Sequence, residues 1–71
     1  MKIWLDSEKV GSFSRAEGMT LHKLCEAAKV NYETFSSQYY HKNQTSLRVA
    51  LPIAMLMEVS VEEIIKVDWE D

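Results

Sequence analysis

The chain has 71 residues, which gives room for one domain and excludes a second one. Its longest apolar stretch, residues 49–57, is far shorter than the roughly 20 residues that span a bilayer, so we expect no membrane segment. The single cysteine, Cys25, excludes an intramolecular disulfide, and no leader-like segment begins the chain, which favours a cytoplasmic protein. We therefore predict a single domain over residues 1–71, with a core over 6–66 and short terminal tails.

The charge is distributed unevenly. A net charge of −3 disfavours nucleic acid, because cations that neutralise phosphates supply most of the affinity for duplex DNA. However, residues 19–57 have four Lys and Arg against two Glu, whereas residues 58–71 have one Lys against six acidic residues. A mildly positive middle with an acidic end is compatible with one surface that faces DNA.

The pattern of caps and apolar residues predicts an all-α fold of five short helices. The first runs from its cap through about residue 15, the second over 21–28 and the third from 32 to about 39. A polar loop over 41–45 follows, and the fourth helix is expected to bear Leu47, Ala50, Leu51 and Ala54, with a kink at Pro52. The fifth carries Val61, Ile64 and Ile65. The predicted caps are Ser7, Thr20, Asn31, Ser46 and Ser60, the last in a capping box with Glu63.

The two ends of the chain have alternating or β-favouring residues, over 2–5 and 66–69. They could pair as short strands, or Trp4 and Trp69 could close the ends of the core. On so short a signal, packing of the tryptophans is the favoured interpretation.

Residues 20–40 have the side chains that a helix-turn-helix requires. Cys25 is the small residue that lets the first helix approach the second, Val30 fills the turn, and Phe35 anchors the second helix from its buried side. Leu24 and Ala28 seat the first helix on the core. The second helix is then free to present its outer face, which could lie in a major groove.

These residues resemble the Cro/C1-type family of repressors, also called the XRE family, from Gly18 to Ile65 without a gap. The entry Gly18-Met19-Thr20, the second helix over 24–28 and the recognition entry over 30–35 are similar to the family's pattern, as are Ser46-Leu47 and the segment over 59–64. The resemblance implies a Cro/repressor-like helix-turn-helix domain and a transcription regulator of a phage or mobile-element switch.

The chain departs from the family at several positions. Lys29, His41 and Glu58 stand where glycine is common, and a left-handed backbone at Lys29 would bring modest strain. Leu21 replaces a glutamine that many relatives use on DNA, and Ser37 replaces an arginine of the recognition helix. The usual DNA contacts are therefore depleted.

The first functional hypothesis is binding of operator double-stranded DNA, with the third helix in the major groove and a homodimer that spans two half-sites. The candidate base-contacting residues are Asn31, Tyr32, Glu33, Ser36, Ser37 and Tyr40. The candidate phosphate-contacting residues are Thr20, His22, Lys23, Lys42, Asn43 and Arg48.

The second hypothesis is an antirepressor-like modulator, which docks its helix-turn-helix face on a partner repressor and blocks that repressor's DNA binding. Tyrosine-rich surfaces with few charges suit protein partners, and Leu21, Tyr32, Tyr39 and Tyr40 could form such a patch.

The sequence has none of the patterns that indicate an enzyme: no phosphate-binding glycine loop, carboxylate pair or Ser-His-Asp set. His22 and Cys25 lie three residues apart, but no further ligand completes a metal site, so Cys25 is interpreted as a small buried hydrophobe. We expect no cofactor, no metal and no small-molecule substrate. Residues 55–57, Met-Leu-Met, are interpreted as core or as a dimer contact.

Overall fold

The computed structural model describes residues 1–69 and consists of four α-helices with a two-stranded antiparallel sheet. The prediction of a mostly helical domain is confirmed, whereas the all-α, five-helix description is wrong. The elements are β1 (Lys2–Leu5), α1 (Ser7–Ala16), α2 (Leu21–Ala28), α3 (Tyr32–Tyr40), α4 (Leu47–Met57), a single 3₁₀ turn (Val61–Glu63) and β2 (Ile65–Asp68). None of these helices has the length and apolar character needed to cross a membrane.

The sheet joins the two ends of the described chain. Lys2 pairs with Asp68 and Leu5 with Ile65, and the peptide N–H of Thr45 donates to the Ile3 carbonyl from the other side of β1. The favoured interpretation of the termini was therefore wrong: they pair as strands instead of forming tails. Trp69 does not close the core, since it is 76% exposed.

The predicted fifth helix is only the 3₁₀ turn. Its start is fixed by Glu63, whose carboxylate accepts hydrogen bonds from the backbone N–H and the hydroxyl of Ser60. The turn ends at once because the next residues enter β2: Ile64 is fully buried, and its carbonyl accepts from the N–H of Asp6. Pairing with β1 thus takes residues that a longer helix would have used.

The caps of α2 and α3 are as predicted. Thr20 accepts from the N–H of Lys23, and Asn31 accepts from the N–H of Thr34. Asp6, not Ser7, caps α1 by accepting from the N–H of Lys9. Aspartate is as strong a cap as serine. The backbone N–H of Asp6 also donates to the Ile64 carbonyl, and this bond fixes Asp6 at the cap position. Ser46 stands at the cap position of α4 but makes no capping side-chain bond.

The core is formed by one face of α4 against α1, α2, α3 and the sheet. The four apolar residues predicted on the fourth helix lie on α4, where Ala50 and Ala54 are buried and Leu47 and Leu51 are exposed. The chain continues as helix through Pro52. The buried apolar residues are Leu5, Val10, Leu24, Cys25, Phe35, Val49, Ala50, Ile53, Ala54 and Ile64.

Two helices end in left-handed residues that are not glycine. Lys29 has φ 60° and Glu58 has φ 58°. In both cases the following N–H, of Val30 or Val59, bonds to a carbonyl five residues earlier, which satisfies the last turn of the helix. His41 does not have a left-handed backbone: its φ is −100°, and the left-handed residue of that loop is Lys42 with φ 53°.

Candidate functional site

The burial predicted for the side chains at the corner between α2 and α3 is confirmed. Leu24, Cys25 and Phe35 are essentially inaccessible to solvent, and Ala28 and Val30 are half-buried and pack against the core. Burial raises the pKa of the Cys25 thiol to about 11, so this side chain is a protonated, inert filler at neutral pH. These core side chains hold the corner between α2 and α3 in place, and α3 lies at the surface.

The outer face of α3 has one charged residue, Glu33, and no lysine or arginine. Glu33, Thr34 and Tyr40 are exposed, and the side chains between them are half-buried except for Phe35 and Gln38, which are buried. A helix of this composition supplies hydrogen-bonding hydroxyls and aromatic surface, while any cations must come from neighbouring segments.

A series of neighbouring rings connects α2 to the end of α3, and within it Phe35 is buried whereas Tyr40 is exposed. The rings of His22 and Tyr32 stack with centroids 3.6 Å apart, Phe35 and Tyr39 stack at 5.2 Å, and Tyr39 meets Tyr40 edge-on at 4.8 Å. Tyr32 and Phe35 join the two pairs at 6.4 Å. We call these five residues the aromatic row. Its outer end is open, because Tyr40 is 58% exposed.

Hydrogen bonds hold the loop after α3 against that helix. The Asn43 side-chain amide donates to the Ser37 hydroxyl at 2.5 Å. Gln38 is buried, and its carbonyl oxygen accepts from the Thr45 hydroxyl at 2.6 Å, so its amide supports the loop and does not face outward. The loop that presents Lys42 is therefore anchored on both sides.

A polar groove of about 300 Å³ opens beside the first turn of α3, between the turn and the start of α4. Lys29 and Arg48 supply two positive charges to it, and the side chains of Asn31 and Thr34 supply polar groups. We call it the basic groove. The full set of lining residues is Lys29, Val30, Asn31, Thr34, Ser46, Arg48 and Val49.

The structure brings some of the predicted contact residues together and leaves others apart. Asn31 and Arg48 share the basic groove, His22 and Tyr32 stack, and Ser37 bonds Asn43. Leu21 and Tyr32 are only half-exposed, since both also pack against the core. Thr20, Lys23, Glu33, Lys42 and Asn43 are exposed around α3, and Ser36 is half-buried on it.

Lys29 and Thr34 were missed as contact candidates. Lys29 was treated only as a departure from glycine in the turn, although its place two residues before the Asn31 cap sets it next to the first turn of α3. Thr34 is one turn into α3 and follows the capping asparagine by three residues, a spacing that places it on the same side of the helix as that cap.

The comparisons with known proteins assign nothing to these residues: no family model matches the chain, and no curated protein does either. Within residues 1–69, no three His, Cys, Asp or Glu side chains come together in a group that could hold a metal ion. The case for function therefore depends on the geometry and chemistry of the surface around α3.

Proposed function

We propose that the chain is a helix-turn-helix transcription regulator that binds operator double-stranded DNA through α3, as part of a phage-type genetic switch in the cytoplasm. The observation that carries the proposal is the basic groove. It places Lys29 and Arg48 beside the N-terminal end of α3, where backbone N–H groups and the helix dipole also favour an anion. A DNA phosphate has the charge and the acceptor oxygens for such a position.

Further phosphate contacts are available on both sides of α3. Thr20 and Lys23 lie at the exposed N-terminal end of α2, and Lys42 and Asn43 lie in the loop that Gln38 supports. Contacts of this kind set the position of a protein on the duplex without reading its sequence. They would hold α3 over the major groove between two runs of phosphates.

Base reading would then fall to a small set of polar side chains. Glu33 can accept from the amino group of cytosine, and Ser36 and Tyr40 can donate or accept hydrogen bonds. Ser37 is already bonded to Asn43, and the Asn31 oxygen caps its own helix. With so few readers, we expect modest affinity that comes mostly from the phosphate contacts of the cations around α3 and that therefore falls as salt is added.

The aromatic row supports a second candidate, in which α3 docks on a partner repressor and covers its DNA-binding face. Tyrosines are enriched at the energetic centres of protein interfaces, and a helix whose only charged side chain is Glu33 has few charges to desolvate on docking. The half-exposed Tyr32 and the exposed Tyr40 would be the anchors. In this case the cations around α3 would meet acidic groups of the partner.

One titration separates the two candidates. Labelled DNA that flanks the gene is titrated with the protein at low salt, with and without the repressor encoded beside it. A saturable shift by the protein alone, lost at high salt, is expected for operator binding. No shift at micromolar protein would contradict operator binding, and release of the repressor's own complex by added protein would then support the modulator.

A further inference from the structure

A row of apolar side chains lies exposed on the side of α4 away from the core. Leu47 is 68% exposed, Leu51 47% and Met55 69%. The spacing of four residues places them along one ridge of the helix. We call these three residues the α4 stripe. It shares no residue with the aromatic row, and nothing among residues 1–69 covers it.

Hollows flank the α4 stripe at both ends. One, of about 390 Å³, lies where α4 passes the end of α2, and is lined by Ala27, Ala28, Leu51, Pro52, Met55 and Leu56. A smaller one, of about 120 Å³, lies between the start of α4 and the sheet, with Ile3, Leu47 and Ile65 among its walls. The exposed leucine and methionine side chains therefore border hollows, with Leu51 and Met55 at the larger one and Leu47 at the smaller one. A surface of this kind can be complementary to itself.

The charges at the two ends of the α4 stripe indicate how two copies would meet. Arg48 stands at the N-terminal end of α4 and Glu58 at its C-terminal end. A parallel pairing would set Arg48 against Arg48. An antiparallel pairing about a two-fold axis at Leu51 sets Arg48 of each copy within a side chain's length of Glu58 in the other, and opposes the two helix dipoles favourably.

We propose that a second copy of this chain docks on the α4 stripe, antiparallel and two-fold symmetric, with Leu51 of each copy meeting Leu51 of the other. Leu47 of one copy then lies against Met55 of the other, at the larger hollow. The docked area is small, so the dimer dissociates at roughly micromolar to submillimolar concentrations. The α4 stripe is separate from the outer face of α3, although Arg48, which would meet Glu58 of the second copy, also lines the basic groove.

Sedimentation equilibrium of the full chain over a range of concentrations tests the association. The average mass is expected to rise towards twice the monomer mass in the wild type, and to stay monomeric in Leu51→Asp and in Met55→Glu. Val67→Asp is the matched control, since it adds the same charge to an exposed apolar position on β2. Wild type that stays monomeric at submillimolar concentration overturns the proposal, as does a Leu51→Asp variant that is folded by circular dichroism and still dimerises.

Single cysteines test the geometry. Leu51→Cys is expected to form an intermolecular disulfide under mild oxidation, because residue 51 lies on the axis. Leu47→Cys or Met55→Cys alone is expected to cross-link slowly, whereas a mixture of these two is expected to cross-link readily. The native Cys25 does not interfere, since it is buried and protonated. Equal cross-linking of Leu51→Cys and Val67→Cys would overturn the proposed pairing.

Discussion

The basic groove and the aromatic row lie at the two sides of one helix, yet they suit different partners. The groove is built from polar side chains and two cations at the start of α3, while the row is built from stacked rings that continue to its end. Both depend on the same buried anchor, Phe35. Because the two surfaces are made of different side chains, the two proposals, DNA binding and protein docking, can be tested one surface at a time.

The largest expected effect comes from a substitution that disrupts the basic groove and the aromatic row together. Phe35→Ala deletes a ring that is fully buried beneath α3, and should lower the free energy of unfolding by about 3–5 kcal/mol. Urea denaturation followed by circular dichroism measures the change. Tyr40→Ala is the matched control, an aromatic truncation on the same helix at an exposed position. Equal costs for the two variants would contradict the role of Phe35 as the anchor.

Removing the positive charges of the basic groove should distinguish DNA binding from docking on a protein. In the double variant Lys29→Asn and Arg48→Gln, the asparagine tolerates the left-handed backbone of the turn. We expect DNA affinity at low salt to fall roughly 10- to 100-fold, and the slope of log affinity against log salt to fall by about 2. Fluorescence anisotropy at several salt concentrations measures both quantities.

The control for that variant is Lys9→Gln with Lys66→Gln, which removes the same charge from α1 and β2, outside the groove. If the control weakens DNA binding as much as the groove variant, the net charge and not the basic groove is responsible.

Truncating the aromatic row should affect docking on a protein more than DNA binding. Under the docking proposal, Tyr40→Ala is expected to weaken binding to a partner repressor by about tenfold, typical of the loss of an interface anchor, and to change DNA affinity by less than about threefold. A Tyr40 that reads a base would instead lower DNA affinity. Calorimetric titration with the repressor measures the first, and anisotropy the second. Trp69→Ala removes another exposed ring and should change neither. A tenfold loss in DNA affinity alone would assign the row to DNA.

The smallest expected effect concerns the backbone at the ends of the helices. Glu58→Gly relieves a left-handed residue and should raise the free energy of unfolding by about 1 kcal/mol. Lys29→Gly should stabilise similarly while weakening DNA binding, because only Lys29 borders the groove. Glu62→Gly, at a residue of the 3₁₀ turn without positive φ, is the control and should destabilise. Thermal denaturation at low protein concentration compares the three.

The local signals in the sequence predicted the corner between α2 and α3 well. Caps at Thr20 and Asn31 and the apolar positions Leu24 and Phe35 act within one or two turns of helix, so their consequences can be derived from neighbours in the chain. The left-handed end of α2 at Lys29 was indicated in another way, by the resemblance to proteins in which glycine is common at that position.

The sheet and the face of α4 could not be derived in that way. Pairing of Lys2–Leu5 with Ile65–Asp68 depends on the distant end of the chain, and four residues give too weak an alternation to identify it. In α4 nearly every residue is apolar, so periodicity does not show which side is buried; contact with α2 and the 3₁₀ turn decides that. The basic groove was missed for the same reason, because Lys29 and Arg48 meet only after folding.

The pairing of β1 with β2 also has a consequence for the order in which the molecule forms. The two strands are separated by almost the whole chain, so closing them costs more loop entropy than any helix or corner within it. We expect the helices and the α2–α3 corner to assemble first, and the strands to zip together last and open first, which amide hydrogen exchange would show as the least protected backbone bonds of the sheet and helices.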